Sequence, residues 1–424
     1  MNLKLEEAKK VIFSPIVIAL TVIFILFNIL VIYENSYIKE DLKIINNIVD
    51  EFGYEIYDEM LNNMKSKYEK QLIKLNQITM NKFKKTYDSV SDFLDSDEYN
   101  SNYYREEVFT KEELKFFNEV NLLEVYIGLS TDLVTSYESI DIMAVAKNEI
   151  KMYGLTGGAK DLVYKNYEKL SERFDDLVKN KEHKNLFFLG DVYRTHTLLF
   201  RDIFSKCIYE IIILVVLITS YLINYEFDNK TSLLVYSTKR GRNNTKDKFI
   251  VCIIAAIILS LIIIGVTLLA YFITFDYSKL YNVQISSAFN WEYKFPYISW
   301  FNISFIMQTV LCTVVVTIAS VIFSAITFII SKLVKNSYIV FFIFFIIFGC
   351  FMILPTIIGS NSSLFIYSHY SIFNLILNPH IWFIGFNPIT MSKYYEVITI
   401  ITSTLIVALG SIFVFKRFKK QDLC

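Results

Sequence analysis

Apolar and polar positions alternate along this chain in two registers. Six runs are apolar for about 20 residues or more, the length a helix needs to cross a bilayer core. They fall at about 11–33, 205–224, 249–274, 302–330, 336–358 and 395–415. Pro355 blurs the exit of the fifth. The first is too long for the apolar part of a secretory leader and has no small-residue cleavage site before Glu34, so it reads as a retained anchor. Between the first and second runs the periodicity changes to that of an amphipathic helix. From Ile38 to about Leu94, apolar residues recur every three or four positions (Leu42, Ile45, Ile48, Phe52, Ile56, Met60, Met64), with Gly53 as a break. A second helical stretch is expected at about Ala159–Val178 and a third at Asn185–Phe204, leading into the second span, with turns around Ser91–Tyr104 and Tyr153–Gly158. The predicted fold is an all-α membrane protein: six transmembrane helices, with a helical domain standing on the membrane between helices 1 and 2. It divides into residues 1–33, 34–204 and 205–424, with a polar loop at 225–248.

Composition supports this class. Of 424 residues, 54% are hydrophobic and mean hydropathy is +0.40, too apolar for a soluble domain of this length. Net charge is zero, which gives no overall pull toward nucleic acid. The charge is segregated, however: residues 34–206 are acidic by roughly eight charges. Lys and Arg concentrate before span one (Lys4, Lys9, Lys10), between spans two and three (Lys230, Lys239, Arg240, Arg242, Lys246, Lys248), between four and five (Lys332, Lys335) and after six (Lys416, Arg417, Lys419, Lys420). The intervening loops hold only Lys279, Lys294 and Lys393. By the positive-inside rule both termini are expected in the cytoplasm and the 34–204 domain outside. No cysteine lies in 34–206, so that domain has no disulfide framework, which leans toward a bacterial plasma membrane.

The search for chemistry returns no catalytic residues. There is no GxxxxGK[ST] string, and GLTGGAK at Gly154–Lys160 has the wrong spacing and reads as a turn. The four histidines (His183, His196, His369, His380) have no metal-ligand spacing, so no metal and no cofactor is expected on this chain. Ionisable groups are scarce within the spans. Glu210 is expected at the outer edge of span two, in reach of water, which argues against an ion-coupled carrier. In span four, Thr309, Thr313, Thr317, Ser320, Ser324, Thr327 and Ser331 step by three or four along one face. Small hydroxyls allow close helix packing; the same stripe would also suit a mildly polar wall of a translocation path or a dimer seam.

Three segments then carry a resemblance. After span two comes YEFDNKTSLLVYSTKRGRNNTKDKFI, whose order of Glu, Thr, Leu-Leu, Ser, Arg and Lys resembles the first cytoplasmic loop of ABC-2 type transporter permeases. The chain opens on an amphipathic NLKLEEAKKVIFSP and closes on FKRFKKQDL, similar to that family's ends, and Phe365–Trp382 falls where the family has short re-entrant helices. The resemblance covers 1–33 and about 205–424; the large insert departs from it. It implies a permease subunit without nucleotide site, working with a cytoplasmic ABC ATPase that binds ATP and magnesium, a second permease subunit and membrane lipids. It further implies that Glu226 and Thr231 open a short coupling helix, Thr231 as its cap. Leu233, Leu234 and Val235 would face a groove on the ATPase, while Lys239, Arg240, Gly241 and Arg242 turn the chain back. The implied cargo is a peptide or lipid-like amphipathic molecule, exported. The rival readings are a non-transporting receptor or scaffold whose outer domain senses a ligand, and a membrane enzyme acting on lipid.

Overall fold

The first turn of structure is set by a serine–proline pair. A computed structural model describes residues 3–189, 197–238, 241–292 and 295–420. In it an amphipathic helix, Leu3–Ile12, stops before Ser14, and span one (Pro15–Glu34) starts with Pro15 in its first turn. Ser14 is extended, as expected of a residue preceding proline, whose ring crowds the helical conformation behind it while its fixed φ suits the first helical position. The other five spans are Thr197–Asp228 (a π-helical turn, Thr197–Ile203, running into the α-helix Phe204–Asp228), Asn244–Thr274, Phe305–Leu333, Ser337–Ile357 and Tyr395–Lys420. All six predicted runs are therefore helices long and apolar enough to cross a membrane.

Spans two, three and four pack on one another; span one lies against two and three, span five against two, and span six against four. Burial separates centre from rim. Span two is 78% and span four 61% buried, against 22%, 17% and 17% for spans one, five and six. A helix that is apolar all round yet mostly uncovered needs an apolar solvent or another protein on its open face. Pro355 sits inside span five without ending it before Ile357.

The end of the bundle farthest from the chain termini, here the distal end, carries the layer that the 34–204 segment builds. Its helices are Lys39–Phe52, Asp58–Phe83, Val90–Leu94, Asp97–Asn100, Lys111–Glu138, Ile142–Met152 and Gly157–Lys179. The break at Gly53 is present and uses φ +82, a conformation that favours glycine. Three expectations are corrected. Ser91–Tyr104 holds two short helices, each capped by a serine (Ser89 and Ser96) whose hydroxyl accepts a backbone N–H. Lys111–Glu138 and Ile142–Met152 are helices the periodicity did not indicate. The first is apolar on several faces because Phe117 and Val120 enter an aromatic cluster with Phe93 and Phe109, while Leu123, Tyr126 and Tyr137 enter the main core. Asn185–Phe204 is not one helix: the chain at 184–186 pairs in an antiparallel bridge, Leu186 N–H to Tyr54 O at 2.7 Å and Ile56 N–H to Lys184 O at 2.9 Å. Those backbone groups are then committed and cannot join a helix.

The layer is completed by two loops from elsewhere in the chain. Residues 275–304 contribute a minimal antiparallel pair, β1 (Trp291–Glu292) and β2 (Phe295–Pro296). Asn46 donates to Asp276 O at 2.6 Å, Ala288 N–H to His183 O at 2.9 Å, Tyr137 OH to Tyr297 O at 3.0 Å, and Arg173 Nε–H to Ser299 O at 3.1 Å. Residues 359–394 add short helices Ser363–Ser368, Ile372–Leu375 and Pro379–Ile381 beneath the loop, with Ile372, Phe373 and Trp382 buried. The helical character expected for Phe365–Trp382 is thus present as broken turns.

Candidate functional site

At the proximal end, beside the termini, the second span leaves its last turn at Asp228 and the chain folds into a short helix, Ser232–Tyr236. Lys230 takes a left-handed φ of 58° to make the corner. Leu233 and Leu234 point outward, 66% and 73% exposed; Val235 is half-buried, and Tyr236 turns inward between Phe227 and Phe418. Gly241 closes the loop: its N–H donates to Thr238 Oγ1 at 3.0 Å, and a Cβ there would stand 2.6 Å from Tyr236 O. Only a residue without a side chain fits that approach.

Under this loop lies a buried ionic cluster. Lys248, in the second turn of span three, has a side chain 1% exposed and donates to Glu226 Oε1 at 2.6 Å, Glu226 Oε2 at 2.5 Å and Leu222 O at 2.8 Å. Its Nζ is also 3.8 Å from Glu7, on the N-terminal helix. Glu7 in turn accepts from Lys10 at 2.9 Å and from Asn244 at 3.3 Å, and Lys10 sits 4.2 Å over the Tyr225 ring. Burying such charges costs several kcal/mol per ion unless every donor is matched. Here all three ammonium protons of Lys248 have acceptors within 2.8 Å, so the cluster fixes one geometry. The Tyr236 hydroxyl donates to Glu226 at 3.5 Å; burial first, then the Glu226 charge, hold that phenol well above its ordinary pKa, so it remains a donor. Lys332, at the end of span four, stacks 4.3 Å over Phe418 of span six. The short helix therefore rests on groups from the N-terminal helix, span two, span three and span six.

The expected site residues sort as follows. Leu233, Leu234 and Val235 lie on the short helix, two of them exposed. Glu226 does not open it: the residue lies in the last turns of span two, buried under Lys248. Thr231 holds the capping position but its side chain makes no capping bond, because its backbone (φ −100°, ψ 4°) is not the extended form that aims a hydroxyl at the following N–H groups. Lys239 and Arg240 lie outside the described residues, as do His196, the Arg242 side chain and Asp422 of the C-terminal motif. In the hydroxyl stripe of span four the groups from Thr309 to Thr327 are hydrogen-bonded, while the buried Ser331 hydroxyl has no partner among the described residues. Thr309, Thr313, Thr317 and Thr327 bond back to carbonyls four residues earlier (2.8–3.0 Å). Ser320 reaches Ala256 O at 3.4 Å and Ser260 at 3.5 Å across span three, and Ser324 meets Thr219 of span two at 2.9 Å. Glu210 is a further correction. It is buried between spans, accepting from Asn28 at 2.8 Å, and is not at a wet edge.

The sequence reading missed Glu7, Lys248 and Lys332 as partners and Glu396, which is buried and accepts the Phe383 N–H at 2.8 Å. Glu7 left one signal: it shares a helical face with Val11, four residues on, where an amphipathic helix should be apolar. Among the described residues no group of three or more His, Cys, Asp or Glu is placed to hold a metal. A family model described as ABC-2 family transporter protein matches residues 1–423. No curated protein matches, and no solved structure does.

Proposed function

This chain belongs to the ABC-2 transporter family, and from that premise we propose how its proximal loop is used. It is the multi-pass membrane permease subunit of an ABC transporter, works with a separate ABC ATPase, and is not itself that ATPase. In our reading both termini and the 229–243 loop face the cytoplasm of a bacterial cell, and Leu233, Leu234 and Val235 dock in an apolar groove of the ATPase. The observation that carries this is the pair of leucines held outward on a helix whose inner Tyr236 is packed against spans two and six and bonded to Glu226 of the buried cluster. Two exposed leucines on a five-residue helix have no folding reason to be there, whereas a partner groove would bury them. Arg240 and Arg242 would add charge contacts at the rim, and ATP with magnesium would be bound and hydrolysed in the partner.

The lock suggests the transmission. A push on the short helix acts through Tyr236 on Glu226, and through Glu226 and Lys248 on spans two and three and the N-terminal helix. Spans one, five and six expose apolar faces that suit lipid and a second permease subunit. The cargo we favour is a peptide or lipid-like amphipathic molecule moved outward, which open apolar faces would admit from the bilayer side. The reading is tested by copurification: Leu233→Asp with Leu234→Asp should abolish capture of the ATPase and its stimulated turnover while the permease keeps its unfolding midpoint. ATPase binding that survives the double change would sink the proposal. A protein that never raises ATPase turnover would point instead to a receptor or scaffold.

A further inference from the structure

In the distal layer a cavity of about 510 Å³ opens between the helices Ile142–Met152 and Gly157–Lys179 on one side and two loop segments, 296–298 and 385–388, on the other. That volume is in the range of sites for small organic ligands. The loop wall is built in advance of any ligand: Gly385 N–H donates to Ile298 O at 2.8 Å and Trp300 N–H to Phe383 O at 3.0 Å. Gly385 itself presses so closely on Leu170 that a Cβ would stand 2.4 Å from that side chain. The lining is chiefly apolar, with Ile142, Val145, Leu170, Ile298 and Phe386 supplying most of it.

Four polar side chains line this apolar space: Glu149, Tyr153, Tyr167 and Asn387, whose side-chain oxygen is already taken by the Ile389 N–H at 2.9 Å. Among the described residues no cation pairs with Glu149 and no side chain donates to it, whereas Glu182 and Glu124 of the same layer are both bonded. Glu149 is close enough to Tyr153 and Tyr167 to act on both phenols, and burial pushes its carboxyl above the ordinary value. An unmatched carboxylate at an apolar wall is costly for folding alone. Beside two tyrosine rings it supplies what an organic cation needs: a counter-charge, aromatic faces and an apolar seat.

We propose that this cavity binds a small organic cation, an amine or quaternary ammonium carried on an apolar body, with Glu149 as counter-ion and Tyr153 and Tyr167 against the charged head. The proposal stands apart from the coupling role of the proximal loop, and its failure leaves that role untouched.

The experiment uses the full chain in lipid nanodiscs and three probes of one shape: 4-phenylbutylammonium, 4-phenylbutan-1-ol and 4-phenylbutyrate. Binding is followed by calorimetry, with empty nanodiscs subtracted. The ammonium should bind about tenfold or more tighter than the alcohol, the gain usual for a hydrogen bond to a charged partner, and the carboxylate weakest. Glu149→Gln should bring ammonium and alcohol to equal affinity, and Val145→Trp, which fills the cavity, should remove both. Equal binding of ammonium and alcohol to the unaltered chain, preference for the carboxylate, absence of binding by all three, or selectivity unchanged in Glu149→Gln would each overturn the assignment. Should Val145→Trp fail to fold, the half-exposed Glu149→Gln decides alone.

Discussion

Lys248 shows what a single residue does in this molecule. Its ammonium is matched by three oxygens at 2.5–2.8 Å, and among the described residues removing it leaves the buried Glu226 carboxylate with only the Tyr236 hydroxyl at 3.5 Å. Lys248→Met should destabilise the protein by about 3–5 kcal/mol, the cost usual for stranding one member of a buried pair. Lys248→Met with Glu226→Leu should recover much of that loss, because two apolar side chains need no partners. Thermal unfolding of the purified permease measures both. In the distal layer His183 is fully buried, with Nε2 2.9 Å from Glu138, and desolvation nevertheless lowers its pKa below the ordinary 6.5. A lowered folded pKa means the unfolded chain binds the proton first. The stability is thus complete above about 6.5 and is lost as pH falls below it, with a slope of up to about 1.4 kcal/mol per pH unit. Glu138, lowered by Lys184 and His183, acts with the same sign but only below its ordinary 4.5. Melting at pH 7.5 and 5.5 should therefore show a drop that His183→Gln flattens.

Elements are set by close approach as much as by propensity. The helix Ser232–Tyr236 is too short to persist by itself; the Gly241 contact with Tyr236 O and the burial of Tyr236 hold it in place. Gly241→Ala should displace it, seen as faster labelling of a cysteine placed at Val235, with the spans unaffected. Span four offers the converse case. From Thr309 to Thr327 its hydroxyls hydrogen-bond to their own helix or across to spans two and three, as packing groups would. Ser320→Leu should overpack the contact with Ala256 and Ser260 and cost about 1–3 kcal/mol, whereas a path-lining residue would alter transport with stability intact. Comparing unfolding midpoints with transport in one preparation separates the two.

At the scale of the whole molecule, the distal layer and the bundle share one core. Hydrophobic contacts run without interruption from Ile32 and Leu42, through Tyr137 and Leu170, to Phe305 and Trp382. Asn46, Tyr137 and Arg173 each satisfy a polar group of the 275–304 loop. A fragment of residues 36–189 alone should consequently retain helical circular dichroism but melt without a cooperative transition. A sharp melt of the fragment would show the segment to be self-sufficient. The same continuity gives motion at one end of the bundle a packed route to the other.

The six spans, the Gly53 break and the outward Leu233–Leu234 pair were legible in the chain, because twenty apolar residues, a glycine corner and an apolar patch in a basic loop are local patterns. Helix Lys111–Glu138 was not, although its capping box, Thr110 with Glu113, was a local sign of its start; it serves two cores and so lacks one apolar face. The fates of Glu226, Glu210 and the hydroxyl stripe were decided only by tertiary structure. Whether a charged or hydroxyl group is exposed or paired depends on what distant segments place beside it, and Lys248 lies 22 residues from Glu226 while Asn28 lies 182 from Glu210. Sequence alone determined that this chain spans a membrane and carries an apolar Leu233–Leu234 pair in a basic loop. Folding determined which charges anchor that loop, since periodicity records the face a residue occupies but not the group that meets it there.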